Sequence, residues 1–278
     1  MTSEALAWWL VVQGIGLLAL PITLLAFRRL PWAGYAFSKP LGILLGGYLF
    51  WMALSLHILP NRPGSIVWVY LLVAAVSVYL VRTRGPALRT LVEERLGYFI
   101  AAEVVFTVVF AAGVYLRSFL PEIAGTEKPM DFMLLNAATR STYYAPDDAW
   151  LSGFQVSYYY FGYVINAMLG RLAALPTAVT FNVALASTAA LAGTAAFGLG
   201  SELVSLARAR ARTALGVGLA AVVLVTVMGN LEGVAEFAIA NGYAEGLVQR
   251  LDIAGLDEAR ESQACFFSAV GHTLAARS

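Results

Sequence analysis

Charge is what this chain has least of. Asp, Glu, Lys and Arg make up 13% of its 278 residues, against roughly 25% in an ordinary soluble domain. A single cysteine, Cys265, excludes an intrachain disulfide. The two histidines, His57 and His272, are far apart and neither has metal-ligand spacing around it, so no metal site is expected from them. A net charge of +1, with no basic stripe carrying interleaved aromatics, argues against nucleic acid as a partner. Nucleophile elbow, P-loop and dinucleotide fingerprint are all missing; GVGLAAV (residues 216–222) has no strand before it. No internal repeat or low-complexity linker interrupts the chain.

What fills the sequence instead is apolar surface. Hydrophobic residues reach 60% and mean hydropathy is +0.74, the composition of an integral membrane protein. A helix that crosses a bilayer needs about 20 mostly apolar residues, because unpaired backbone groups are not tolerated in hydrocarbon. Six stretches meet or approach that length: Ala5 to Phe27, Pro40 to Leu59, Ile66 to Val81, Leu96 to Leu120, Ala178 to Gly200 and Thr213 to Gly229. The expected fold is all-α, a polytopic helical bundle of about six spans. Three fall in an N-terminal group (1–95), a core follows (96–233), and a tail of uncertain structure closes the chain (234–278). The N-terminus lacks a basic region and a small-residue cleavage site, so its apolar run reads as an uncleaved first span. In the second span, Gly42 and Gly46 stand four apart, which permits close helix packing.

Positive charge orients the bundle. Arg28, Arg29 and Lys39 follow the first span, and Arg82, Arg84, Arg89 and Arg95 the third. Both loops are expected in the cytoplasm, with the N-terminus and the 120–177 loop outside a cell membrane crossed several times. From Leu120 to Ser157 the acids Glu122, Glu127, Asp131, Asp147 and Asp148 outnumber Lys128 and Arg140, a net of −3. If Tyr158 to Leu175 also crossed, Arg208, Arg210 and Arg212 would lie outside. That segment is therefore expected to lie at the external face as an interfacial or re-entrant helix, which returns the 201–212 loop to the cytoplasm. A second surface helix is expected in TEKPMDFMLLNAATRS, with Pro129 at its first position and an apolar face of Met130, Met133, Leu134, Ala137 and Ala138.

The polar residues of this region admit two readings. Glu127 and Asp131, four apart, suit proton abstraction from a hydroxyl or the holding of a divalent cation; as acids at a helix start they equally suit capping. Asp147 and Asp148 after Pro146 read as a turn. Trp150, Tyr158, Tyr159 and Tyr160 fit a headgroup-level aromatic belt. On a helix, however, three consecutive side chains fan over roughly 200°, which turns at least one tyrosine towards the protein. Glu103, an acid within a span, is expected to face other helices or a cavity. Arg117, fourteen residues on and about 21 Å along the axis, is too far to pair with it. It suits a headgroup or a phosphate instead.

TEKPMD (residues 126–131), DDAWLSG (147–153), YYYFG (158–162) and GNLEG (229–233) occur in this order. Together they resemble a family of multi-spanning membrane proteins of unknown function known for a YYYxG motif (Chlor_Arch_YYY), whose members are much longer. Ala149 and Ser157 depart from the proline and asparagine that the family pattern places there. The layout in turn resembles the C-type (GT-C) glycosyltransferase fold. That resemblance implies Asp131 or Glu127 as a catalytic base and a polyprenyl-phosphate sugar as donor, in contact with membrane lipid. It also implies a phosphate met by Arg117, Lys128 or Arg140, and a sugar met by Tyr158, Tyr159, Tyr160, Asp148 and Trp150. Two other readings stand beside it: a transporter or channel subunit working through Glu103, and a non-catalytic or truncated membrane module.

Overall fold

The computed structural model describes residues 2–125 and 127–228. The GNLEG segment, Cys265, His272 and the 234–278 tail lie outside the described residues, as does Thr126. Seven α-helices make up the rest: α1 (Thr2–Ala26), α2 (Ser38–Ser55), α3 (Pro63–Phe119), α4 (Lys128–Arg140), α5 (Phe161–Leu172), α6 (Thr177–Leu206) and α7 (Ala211–Thr226). No strand occurs among the described residues. The chain divides into two compact units, Met1–Ala221 and Val222–Ser278. Of the second unit only the end of α7 and its last turn are described, where Thr226 Oγ1 donates to Val222 O at 2.8 Å.

Four helices are long and apolar enough to cross a membrane: α1, the segment Tyr35–Ser55 around α2, α3 and α6. The expected third and fourth spans both lie in α3, a 57-residue helix, and the expected boundary at residue 95 falls inside it. A straight helix of that length would run about 85 Å. It is not straight. Ser77 Oγ donates to Leu18 O, and Glu103 accepts from Gln13. Twenty-six residues of straight helix cover about 39 Å, whereas the five between Gln13 and Leu18 cover about 7.5 Å. α3 therefore doubles back along α1. Between the two contacts lies Pro86, which lacks an N–H and crowds the carbonyl four residues before it. Thr83 and Thr90 turn their hydroxyls onto Tyr79 O and Pro86 O, a habit that also bends helices.

Small residues set the close approaches. A Cβ on Gly42 would come within 2.8 Å of Ile15 O on α1. One on Gly46 would collide with the Tyr70 ring on α3. The two glycines thus serve two different neighbours. Gly113 of α3 meets Ala186 of α6, where an added Cβ would lie 2.9 Å from the alanine's own. Trp8, Phe50, Phe106 and Phe197 are fully buried between the helices. Large apolar side chains such as Leu17 (64% exposed), Trp68 (67%) and Leu116 (67%) cover the outside. Soluble surfaces rarely carry so much contiguous apolar area; a lipid-facing perimeter does.

One end of the first unit collects the arginine-bearing segments. Glu202, buried near the end of α6, accepts from Trp32 N and Gly34 N, each at 3.0 Å, and Arg95 Nε donates to Pro31 O at 2.7 Å. Trp32 also stacks on Tyr98 at 4.6 Å between centroids. Helix α6 runs on to Leu206, so the connection expected over Ser201 to Arg212 shrinks to residues 207–210. At the opposite end, Arg117 Nε donates to Asn182 Oδ1 at 3.0 Å, joining the finish of α3 to the start of α6. Both ends of the 120–177 loop thus sit together. α5, with 12 residues and about 18 Å of length, is shorter than a bilayer's hydrocarbon core of about 30 Å.

The last carbonyls of α4 are unsatisfied within the helix, and a buried network takes them up. Asn61 Nδ2 donates to Ala138 O at 2.9 Å and Ser141 O at 2.7 Å, and Tyr144 Oη to Ala138 O at 2.6 Å. From the last turn of α5, Arg171 donates to Thr139 O, and to Asn61 O at 2.6 Å. Hydrogen bonds from a charged group are worth about 1.5–3 kcal/mol. Arg171→Met should therefore lower the unfolding free energy in lipid nanodiscs by about 2 kcal/mol. Because Asn61 shares the network, Asn61→Ala with Arg171→Met should give less than the sum of the two single effects. Denaturant titration of the four proteins checks this; strict additivity would contradict a shared network.

Candidate functional site

Helix α4 starts at Lys128, one residue before the expected first position at Pro129. Pro129 occupies the first turn, Asp131 N donates to Glu127 O at 3.0 Å, and Asp131 lies near the positive end of the helix. Its buried face is Leu134, Leu135 and Ala138, turned one position from the expected stripe. Asn136 Oδ1 accepts from Thr177 Oγ1 at 3.0 Å, which fastens α4 to the start of α6. α5 buries Val164, Ala167, Met168, Leu169 and Gly170, and a Cβ on Gly170 would run into Thr180 of α6.

This packing brings Asp131 to a tyrosine, but not to one of the three in the YYY run. Tyr163 Oη donates to Asp131 Oδ1 at 2.5 Å. Burial first, then the hydrogen bond and charge of Asp131, raise the Tyr163 hydroxyl above its ordinary range, and Tyr158 and Glu127 add smaller pushes in the same direction. Tyr163 therefore keeps its proton and Asp131 accepts. The other carboxylate oxygen, Oδ2, has no hydrogen bond among the described residues. Neither Glu127 nor Asp131 makes a side-chain capping bond to the helix start, so the capping alternative reduces to dipole electrostatics.

The three tyrosines do not form part of a helix. Tyr158 and Tyr159 precede α5, which begins at Phe161, so the helical fan expected for them does not arise. Tyr159 is 85% exposed and Tyr158 53%, with their rings 5.1 Å apart. Tyr160 turns inward, and its hydroxyl accepts from Trp51 Nε1 at 3.2 Å. Tyr163 follows one turn later. Its position as a fourth tyrosine, three residues past Tyr160, is the signal that sequence reasoning passed over.

Other expected residues take up different places. Asp148 Oδ1 accepts from Trp150 N and Leu151 N at 2.8 and 3.0 Å, a local turn of the kind its sequence suggests. Trp150 is 70% exposed. Arg117 spends two of its nitrogens on Asn182, whose own amide holds Pro121 O and Ala178 O at 3.0 Å. Lys128 is half-buried beside Glu127 at the start of α4, and Arg140 is exposed at its end. Twelve residues of helix hold those two about 18 Å apart, too far to clasp one phosphate. The structure thus joins Asp131 to Tyr163, with Glu127 and Lys128 at the same helix start, and places Arg117, Arg140, Asp148 and Trp150 elsewhere. No three of His, Cys, Asp and Glu come together to hold a metal among the described residues.

Glu103 forms a separate centre. Its carboxylate accepts from Gln13 Nε2 at 2.9 Å and Tyr35 Oη at 2.8 Å, and pairs with the Lys39 ammonium. Lys39, expected among the loop charges, lies instead inside α2, buried, with its ammonium 4.8 Å from the Phe106 ring centre. Polar groups from α1, α2 and α3 thus meet around one acid. The void beside it holds about 10 Å3, roughly the space of a single water. The acid thus ties three helices together.

Geometry and surface define a polytopic helical membrane protein with a short-helix pair, α4 and α5, carrying an acid–tyrosine couple at one end. More particularly, the chain belongs to the uncharacterized membrane protein family DUF2298, whose family model matches residues 45–268. No curated protein and no solved structure matches the chain.

Removing one partner of a buried ion pair strands the other and costs about 3–5 kcal/mol, while removing both charges together is often neutral. Lys39→Met should therefore lower the thermal midpoint sharply in nanodiscs, and adding Glu103→Gln should recover most of the loss. Equal midpoints for parent and Lys39→Met would contradict this tie.

Proposed function

We propose that this protein is a membrane glycosyltransferase-like enzyme that moves a sugar from a polyprenyl-phosphate donor, and that its site lies at the α4–α5 end, on the external face. The observation that carries this reading is Asp131: one oxygen is fixed by Tyr163, the other has no hydrogen bond among the described residues, and both sit at the start of a short helix tied to the end of the bundle. Its support at the level of fold is analogy with C-type glycosyltransferases, in which acids of an external loop flanked by two short helices act on a lipid-linked donor.

In the proposed reaction the acceptor hydroxyl approaches Asp131 Oδ2, and its oxygen forms a bond to the anomeric carbon of the donor sugar. The carbon–oxygen bond to the phosphate breaks, polyprenyl phosphate leaves with the electron pair, and Asp131 takes the hydroxyl proton. Tyr163 holds the carboxylate in place and, with its proton retained, does not compete as a base. Lys128, at the same helix start, supplies positive charge for the leaving phosphate.

Orientation follows from charge. Arg28, Arg29, Arg95 and the 207–210 connection cluster at the end opposite α4 and α5, and arginine-rich short loops face the cytoplasm. A cysteine at Ala209 should resist a membrane-impermeant maleimide in intact cells and react once the cells are opened. Efficient labelling in intact cells would reverse the orientation.

Catalysis is tested with the longest natural form of the protein in lipid vesicles, offered a panel of polyprenyl-phosphate hexoses. Loss of a positioned general base costs about 10²–10⁴ in rate, so Asp131→Asn should fall in that range and Tyr163→Phe by less, with thermal stability held. Tyr159→Phe should transfer as the parent does. Undiminished transfer by Asp131→Asn would refute the assignment.

A further inference from the structure

A feature at the arginine-rich end stands apart from α4 and α5. Where α1 finishes and α3 turns, Arg28, Arg29 and Arg84 border an open groove of about 570 Å3, with Leu25, Ala87 and Leu91 as its apolar wall. All three arginines are exposed. None has a carboxylate partner among the described residues, and the reason is local. The two acids of this stretch of α3 are already engaged by their own neighbours: Glu93 accepts from Arg89 at 2.7 Å, and Glu94 from Arg95 at 2.8 Å. Three guanidinium groups therefore surround one concavity with no counter-charge among the described residues.

The level of the groove matters as much as its charge. Leu25 belongs to the last turn of a membrane-spanning helix that ends at Ala26, so the arginines stand where hydrocarbon gives way to headgroups. Arginines that served only to orient the chain would need neither a concavity nor an apolar wall. We infer that the groove between α1 and the turn of α3 binds the phosphate headgroup of an anionic phospholipid, with acyl chain laid along Leu25, Ala87 and Leu91. Guanidinium groups pair with phosphate through paired N–H donors, and basic pockets at helix ends are a recognised setting for such lipids. Free phosphate shares the headgroup chemistry but has nothing to place against the apolar wall. The site is independent of any sugar transfer.

The test uses the whole protein in nanodiscs of phosphatidylcholine, with or without a minor share of phosphatidylglycerol, followed by native mass spectrometry of retained lipid and by thermal melting. Parent protein should retain phosphatidylglycerol preferentially and melt higher in its presence. Each Arg→Gln change at Arg28, Arg29 or Arg84 should reduce that preference about five-fold, the equivalent of ~1 kcal/mol for a basic residue near an anionic surface. The control removes a larger charge elsewhere, three arginines in Arg208→Gln/Arg210→Gln/Arg212→Gln, and should keep the preference. Equal loss in the control would overturn the site, because net charge alone would then explain binding. Inorganic phosphate added to phosphatidylcholine discs should give no comparable stabilisation; a matching response would overturn the lipid in favour of the free anion. Because melting in phosphatidylcholine alone reports folding, a variant that is misfolded is recognised there. In that case Leu91→Glu, which spoils the apolar wall and leaves the arginines in place, should abolish the preference, and its survival would overturn the proposal.

Discussion

The hold of Arg171 and Asn61 on the last carbonyls of α4 is the interaction on which the rest of the candidate site depends. A helix end buried without partners is strongly unfavourable, and here the partners come from two other places, the α2–α3 connection and the last turn of α5. Meeting that requirement fixes α5 alongside α4. Because the contact is made near the C-terminal ends of both helices, it also sets which residues face each other near their starts, and Tyr163 falls opposite Asp131. The acid–tyrosine couple is thus a consequence of how a helix terminus is satisfied about two turns away.

The spanning part of the bundle follows another constraint. Charges in hydrocarbon are tolerated only with partners, and Glu103 draws one from each of the helices around it. That centre joins α1, α2 and the returning half of α3. Glu202 plays the comparable part at the arginine-rich end, where it takes two backbone N–H groups from the turn after α1. Glu103 and Glu202 have both carboxylate oxygens engaged and hold helices together, whereas Asp131 has one oxygen with no hydrogen bond among the described residues. The contrast in how their oxygens are used is the physical ground for separating structural acids from a candidate reactive one.

Much of this is legible in the sequence. Apolar run lengths point to the helical bundle, and Pro129 with its flanking acids marks the start of α4. The arginine count argues that the 158–175 segment does not cross, and α5 within it has only 12 residues. The continuity of α3 is not legible, because the arginine-rich stretch from Arg82 to Arg95, with Gly85 and Pro86 in it, has the composition of a loop between two spans and is nevertheless helical throughout. Lys39 is misleading for a similar reason: a lysine near a span end reads as a loop charge unless its partner, sixty-four residues away, is known. Tyr163 is obscured by a helix start placed at Tyr158, three residues too early, which assigns a common fan to tyrosines that precede the helix. Pairings between distant segments are tertiary facts, and periodicity does not report them.

The central claim is that Asp131 and Tyr163 form the reacting end of a site for a lipid-linked sugar. The most direct measurement is an experimental structure of the longest natural form of the protein in nanodiscs, bound to a polyprenyl-phosphate sugar analogue that cannot be transferred. The account predicts the anomeric carbon beside Oδ2 of Asp131, with Tyr163 still on the other oxygen and the phosphate towards Lys128. An analogue seated elsewhere, with the α4–α5 end empty, would contradict it.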